Sequence, residues 1–203
     1  MSDGDFSILG MAGSLRRRSF NRALLREASE LSPEDIRVDI FELAPVPPYN
    51  ADLDESLGGG PYPQPVRELR EGVDRSDAVL MVVPEYNWGP SGVLKNAVDW
   101  LSRPAGSSPL YEKPLALAGA SPGPAGTGRA QLQLRQNLLS TNSFVLQTPT
   151  VQLGHAGSRF DEDLRLVDEE ARRLVRRQLN ALRDWARTLR GPAATDRTAI
   201  RLS

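Results

Sequence analysis

The chain has 203 residues and a formal net charge of −1 at pH 7, a balance that gives no electrostatic reason to bind nucleic acid or an anionic membrane surface. Hydrophobic residues make up 39%, enough for one real core, and the absence of cysteine excludes disulfides, iron–sulfur clusters, thiolate zinc sites and cysteine nucleophiles together. No apolar run approaches the ~20 residues of a membrane helix, and "MSDGDFSILG" lacks the basic start of a signal peptide, so a soluble, cytoplasmic protein is expected.

Residues 6–11, "FSILGM", form a continuous apolar run with the length of a buried strand, closed by a glycine-containing turn. Over 21–31, Ala23, Leu24, Ala28 and Leu31 recur at helical spacing. A second strand is predicted at 38–43, "VDIFEL". A Pro- and Gly-rich loop then occupies 44–65, long enough to be functional or flexible. A helix follows at 66–74, after Pro65. "AVLMVVP", 78–84, is the most hydrophobic strand and is placed centrally, buried on both faces. The helix at 92–101 carries Lys95 and Asp99 as an i, i+4 pair. Next come a strand at 114–120, a helix at 129–139, and 144–146 with 150–153 as one strand broken at Pro149. The spacing predicts a long amphipathic helix over 164–189, its inward row Val167, Ala171, Leu174, Leu182, Trp185 and Leu189. Residues 1–190 read as one domain and 191–203 as a flexible tail.

Strands alternating with helices predict an α/β fold, a doubly wound five-stranded parallel sheet with helices on both faces. Ligands of such sheets lie beyond the carboxyl ends of the strands, where strand order reverses. The loops after the first, third and fourth strands are therefore expected to share a rim.

In "GSLRRRSFN", 13–21, Gly13 permits a tight turn, Ser14, Ser19 and Asn21 offer hydrogen-bonding groups, and Arg16 a permanent charge. A helix starting just afterwards makes this a phosphate nest. With neither a P-loop nor a G-x-G-x-x-G, a single terminal phosphate fits better than a diphosphate. Equally open is an N-cap at Ser19 or Asn21 beside solvated arginines. In "PEYNWGPSGVLKNAVDW", 84–100, Pro84 ends a strand, Tyr86 and Trp88 present planar surfaces, and Asn87 with the backbone of 85–87 can address a polar ring edge. Pro90 stiffens the loop and Ser91 can cap the helix. The stretch suits a flat heteroaromatic ligand, or else is a hydrophobic turn before a capped helix. In "ASPGPAGTGRAQLQLR", 120–135, Gly123, Gly126 and Gly128 let backbone approach a ligand and Ser121 can hydrogen-bond.

In order and spacing these three segments resemble the motifs of the NADPH-dependent FMN reductases, a flavodoxin-like group that includes quinone, chromate and azo-dye reductases. The resemblance spans roughly 6–153. It implies a flavodoxin-like fold, noncovalent FMN, NADPH or NADH as donor, a small-molecule acceptor, and a homodimer or homotetramer. By position it implies that Ser14, Arg16, Ser19 and Asn21, with the backbone of Phe20, hold the FMN phosphate. Pro84, Glu85, Tyr86 and Asn87 contact the ring and ribityl chain, and Ser121 and Gly123 form a third wall. Two positions depart from the pattern: Gly89 stands where serine is usual, and Ser91 where proline is usual, with Pro90 shifted by one. The loop stays stiff, and the pocket over the flavin is where a difference is expected; Trp88 can tune it or support a subunit contact.

The expected activity is hydride transfer from a nicotinamide through FMN to quinones, azo compounds, chromate or free flavin, with no catalytic side chain and no metal. The alternative is a flavodoxin-like FMN-binding electron carrier or sensor with a protein partner; the balanced charge disfavours a carrier, which is expected to show an acidic docking face. His155 is expected to be structural or exposed, Glu162 and Asp163 to start a helix, and "RRLVRRQLNALRDWAR" to be a packed helix with a solvated face.

Overall fold

The computed structural model describes residues 6–190. In chain order the elements are β1 (Phe6–Ala12), α1 (Phe20–Glu30), β2 (Ile36–Phe41), α2 (Gln64–Arg75), β3 (Ala78–Val82), a miniature hairpin of β4 (Glu85–Tyr86) and β5 (Gly89–Pro90), α3 (Gly92–Leu101), β6 (Pro114–Ala120), α4 (Gly128–Leu139), β7 (Phe144–Val145), β8 (Val151–Leu153), the single turn α5 (Ala156–Arg159) and α6 (Glu169–Arg190). The main sheet runs β2-β1-β3-β6-β7, with β8 also paired to β6. Every pairing within it is parallel. β7 meets β6 at Pro114↔Phe144 and β8 meets it at Ala118↔Val151, so the fifth position is one strand interrupted around Pro149, as its sequence predicts.

The apolar runs follow from burial on both faces. Ile8, Leu80, Val82, Ala116 and Ala118 face α1 and α6, meeting Leu24, Ala28, Val175, Leu179 and Leu182. Their neighbours Leu9, Met11, Val79, Met81, Leu115 and Leu117 face the other way, against Leu69, Val73, Leu94, Leu101, Leu134 and Leu138 of α2, α3 and α4.

Four expectations are corrected. α2 begins at Gln64, because Pro65 fits a first helical turn, where its missing N–H costs nothing. β2 lies earlier than 38–43, pairing Ile36 with Phe6. The last helix begins at Glu169 rather than 164: Leu164 has φ 61°, Leu166 bridges Phe160, and Asp168 accepts the Ala171 N–H at 2.9 Å as the cap. Val167 is consequently exposed, and the buried face of α6 is Ala171, Val175, Gln178, Leu179, Leu182 and Ala186, with Leu174, Trp185 and Leu189 half-buried. Glu162 and Asp163 therefore sit in a turn, whose Asp161 Oδ1 accepts from the amides of Asp163 and Arg165. The predicted tail at 191–203 lies outside the described residues.

The long loop at 44–63 is organised around a carboxylate. Asp54, fully buried, accepts from Tyr49 Oη at 3.0 Å, Tyr62 Oη at 2.9 Å, and the amide and hydroxyl of Ser56. Pro47 O accepts from Trp100 Nε1 and Asn96 Nδ2, both at 2.8 Å, which ties the loop to α3. No helix among the described residues is long and apolar enough to cross a membrane.

Candidate functional site

The three rim loops converge, and specific bonds join them. Ser91 Oγ caps α3 by accepting the Leu94 N–H at 3.3 Å, and it donates to Gly13 O at 2.7 Å. A Cβ at Gly13 would lie 2.5 Å from Ser91 Oγ and 2.9 Å from both Leu94 Cβ and Pro84 Cδ, so only glycine fits where the first loop crosses the third strand's end. Ser14 is buried, with its Oγ 3.0 Å from Tyr86 Oη. Asn21 reaches the other way: its Nδ2 donates to Ala120 O and its Oδ1 accepts from Ala120 N, each at 2.9 Å.

Within the first loop, the amides of residues 14–18 meet no acceptor among the described residues. Ser19 caps α1, its Oγ accepting from the amides of Asn21 at 3.2 Å and Arg22 at 3.4 Å. Arg16 and Arg17 are exposed and form no ion pair among the described residues, whereas Arg18 donates to Glu162 O at 2.6 Å. Amides without a protein acceptor just ahead of a helix start, a buried hydroxyl and a guanidinium outside any described ion pair make the donor set an anion requires. Beside it opens a cleft of about 400 Å³ lined by Arg16, Arg18, Phe20, Phe160 and Glu162.

The second loop is a hairpin pairing Glu85 with Pro90 and Tyr86 with Gly89. Its turn residues have positive φ, Asn87 at 50° and Trp88 at 68°, the combination a two-residue hairpin turn requires. Tyr86 is half-exposed toward Ser14, while the Glu85 side chain turns to α4 and accepts from the amides of Arg129 and Ala130, each at 3.2 Å, and from Arg129 Nε at 2.7 Å. Trp88, 69% exposed, lies under the Arg129 guanidinium, 5.3 Å from ring centroid to Cζ. A Cβ at Gly89 would come within 2.8 Å of Gln133 Oε1, so serine here would displace a flexible side-chain end.

In the third loop Ser121 Oγ accepts the Gly123 N–H at 3.2 Å, and Gly123 O accepts from His155 N at 3.1 Å. His155 is exposed and has φ 50°, so its part is backbone shape. Gly119 admits no side chain: a Cβ would lie 2.0 Å from Thr127 Oγ1 and 2.5 Å from Val83 O.

The sequence-predicted residues thus gather on one rim but differ in what they can offer. Arg16 and the amides of residues 14–18 meet no acceptor or ion-pair partner among the described residues, and the Ser14 hydroxyl meets Tyr86 Oη; Pro84 is buried at the wall's base; the Asn21 and Glu85 side chains are spent on holding loops together. The latches Ser91–Gly13 and Glu85–Arg129 were missed, because partners 78 and 44 residues apart leave no local signature. Among the described residues no cluster of histidine, aspartate and glutamate is placed to hold a metal.

The model of the NADPH-dependent FMN reductases matches residues 6–158. An NAD(P)H-dependent FMN reductase of Pseudomonas aeruginosa is 44% identical over 94% of this chain and 100% of its own length. A quinone reductase of Pseudomonas putida is 38% identical, with 81% and 86% covered. Among solved structures, the flavoenzyme FerB of Paracoccus denitrificans, an NAD(P)H:(acceptor) oxidoreductase, superposes with a TM-score of 0.79 at 30% identity, covering 90% of this chain and 98% of that one.

Proposed function

From the premise that the chain belongs to the NADPH-dependent FMN reductase family, we infer that it is an FMN-containing oxidoreductase that takes hydride from NADPH or NADH and reduces small acceptors, quinones among them. The observation that carries this reading is the first loop: amides of residues 14–18 without a described acceptor, the buried Ser14 hydroxyl and the exposed Arg16 fit one terminal phosphate at the mouth of α1. FMN held here would supply the redox chemistry between the nicotinamide and the acceptor.

The chain's own contribution is placement. Ser14, Arg16 and the amides up to Phe20 would hold the phosphate, with Ser19 and Asn21 fixing the loop's shape from behind. Pro84, Tyr86, Asn87 and the backbone of Glu85 would form the wall along the ring and ribityl chain, and Ser121 and Gly123 the third side. Backbone donors at the ring edge would favour the charge it gains on reduction. No side chain is assigned as acid or base. We place the protein in the cytoplasm as a homodimer or homotetramer, on family grounds.

Protein purified without added flavin should be yellow and release FMN on denaturation. Arg16→Ala should weaken FMN binding by about 1–3 kcal/mol, the worth of a charge-assisted hydrogen bond; an unchanged affinity by fluorescence titration would place the phosphate elsewhere. Anaerobic NADPH should bleach the flavin rapidly. A flavin that stays oxidised until a reductase is added would favour the electron-carrier reading.

A further inference from the structure

Glu85 occupies a particular electrical position. α4 starts at Gly128, and its cap residue Thr127 makes no side-chain capping bond. The carboxylate comes instead from the hairpin after β3: one oxygen accepts the amides of Arg129 and Ala130, the other takes Arg129 Nε, and Arg129 Nη2 completes the ion pair. The Glu85 side chain is 6% exposed and that of Arg129 52%. One buried negative charge therefore faces two positive features, a guanidinium and a helix N-terminus equivalent to roughly half an elementary charge. All of them adjoin the rim, since Glu85 precedes Tyr86 in the hairpin and Arg129 follows the loop that carries Ser121 and Gly123.

We propose that Glu85 is a positioning residue that also acts electrostatically, cancelling the positive end of α4 and Arg129 beside the slot and so keeping the reduction potential of the bound flavin low. This rests on FMN occupying the slot. Cationic charge near a flavin favours its reduced, more negative form, and a largely buried charge is screened far less than one in water. A low potential leaves the loaded protein a stronger electron donor to its acceptor. A latch with only a mechanical role makes a different prediction. Cutting it from either side loosens the same hairpin, so both single variants would move the potential in the same direction or leave it unmoved.

The test compares FMN-loaded wild type, Glu85→Gln, Arg129→Gln and the double variant. Midpoint potentials are measured by anaerobic dithionite titration against a reference dye, with FMN affinity measured alongside. Glu85→Gln should raise the potential and Arg129→Gln lower it. Each should change the reduced-to-oxidised ratio at fixed ambient potential about three- to tenfold, with tenfold about 30 mV for a two-electron couple. The double variant should return close to wild type. Shifts of the same sign in both single variants, or no shift in either, overturn the proposal. Should Glu85→Gln fail to fold, exposed Arg129→Gln decides alone: an unchanged or raised potential overturns it. A wild type that binds no FMN is recognised before any variant is compared, and it removes the functional reading together with this one.

Discussion

Gly13 and Asn21 show how single residues set the rim. Gly13 is surrounded by Ser91 Oγ, Leu94 Cβ and Pro84 Cδ, two of them fixed by a helix and a proline ring. Gly13→Ala should cost about 1–3 kcal/mol, as overpacking does, and should also weaken FMN binding because the nest moves with it. A variant with wild-type melting and affinity would show that the loop can retreat. Asn21 makes two hydrogen bonds that no other residue type can copy at this length, one given and one taken at Ala120. Asn21→Ala leaves a buried N–H and C=O without partners, about 1–3 kcal/mol for each group. Urea denaturation should show that loss, and a midpoint within error of wild type would contradict it.

Among the elements, α6 is the one whose face the sequence pattern mispredicts. Gln178 is buried on it because its Nε2 donates to Leu117 O at 2.9 Å and Pro149 O at 3.0 Å, joining the helix to β6 and to the break in the fifth strand. A polar residue therefore stands where an apolar row is expected, and Val175, Leu179 and Ala186 take the inward places beside it. Gln178→Leu keeps the volume but strands two carbonyls and should lower stability by about 1–3 kcal/mol; an unchanged or raised melting temperature would refute that. The hairpin makes a similar point. Asn87 suits the left-handed region and Trp88 does not, yet pairing of Tyr86 with Gly89 and a hydrogen bond from Gln133 Nε2 to Trp88 O at 3.2 Å hold the turn.

For the whole molecule, one buried and one half-buried carboxylate shape the response to acid. Burial pushes the Asp54 carboxyl up, but hydrogen bonds from Ser56, Tyr62 and Tyr49 outweigh it and hold it below the ordinary aspartate value. At Asp77 burial is likewise outweighed, by the Ser7 amide and hydroxyl and by Arg190. A pKa lowered by folding gives stability that is complete above the unfolded value, about 4, and is lost as pH falls through the folded value. Melting temperature should therefore hold steady near neutrality and fall from about pH 4 downward. Asp54→Asn should melt lower at pH 7 and show a shallower acid dependence; parallel curves would mean that Asp54 titrates alike in both states.

The alternation of apolar runs with helical periods was enough to predict the doubly wound sheet, its central strand and the interruption at Pro149, because hydrophobic period and proline act over a few residues. The gathering of three unusual loops on one rim followed from that topology. What each rim residue does there was decided by the tertiary structure. Ser91 reaches Gly13 across 78 positions and Asn21 reaches Ala120 across 99, and no local pattern records such partners. The same holds for the long loop, whose composition suggests flexibility, while its order comes from Asp54 meeting two tyrosines and from Trp100 on α3. Period and turn chemistry are properties of neighbours along the chain; a buried polar group's partner is a property of the folded volume, and only there can it be read.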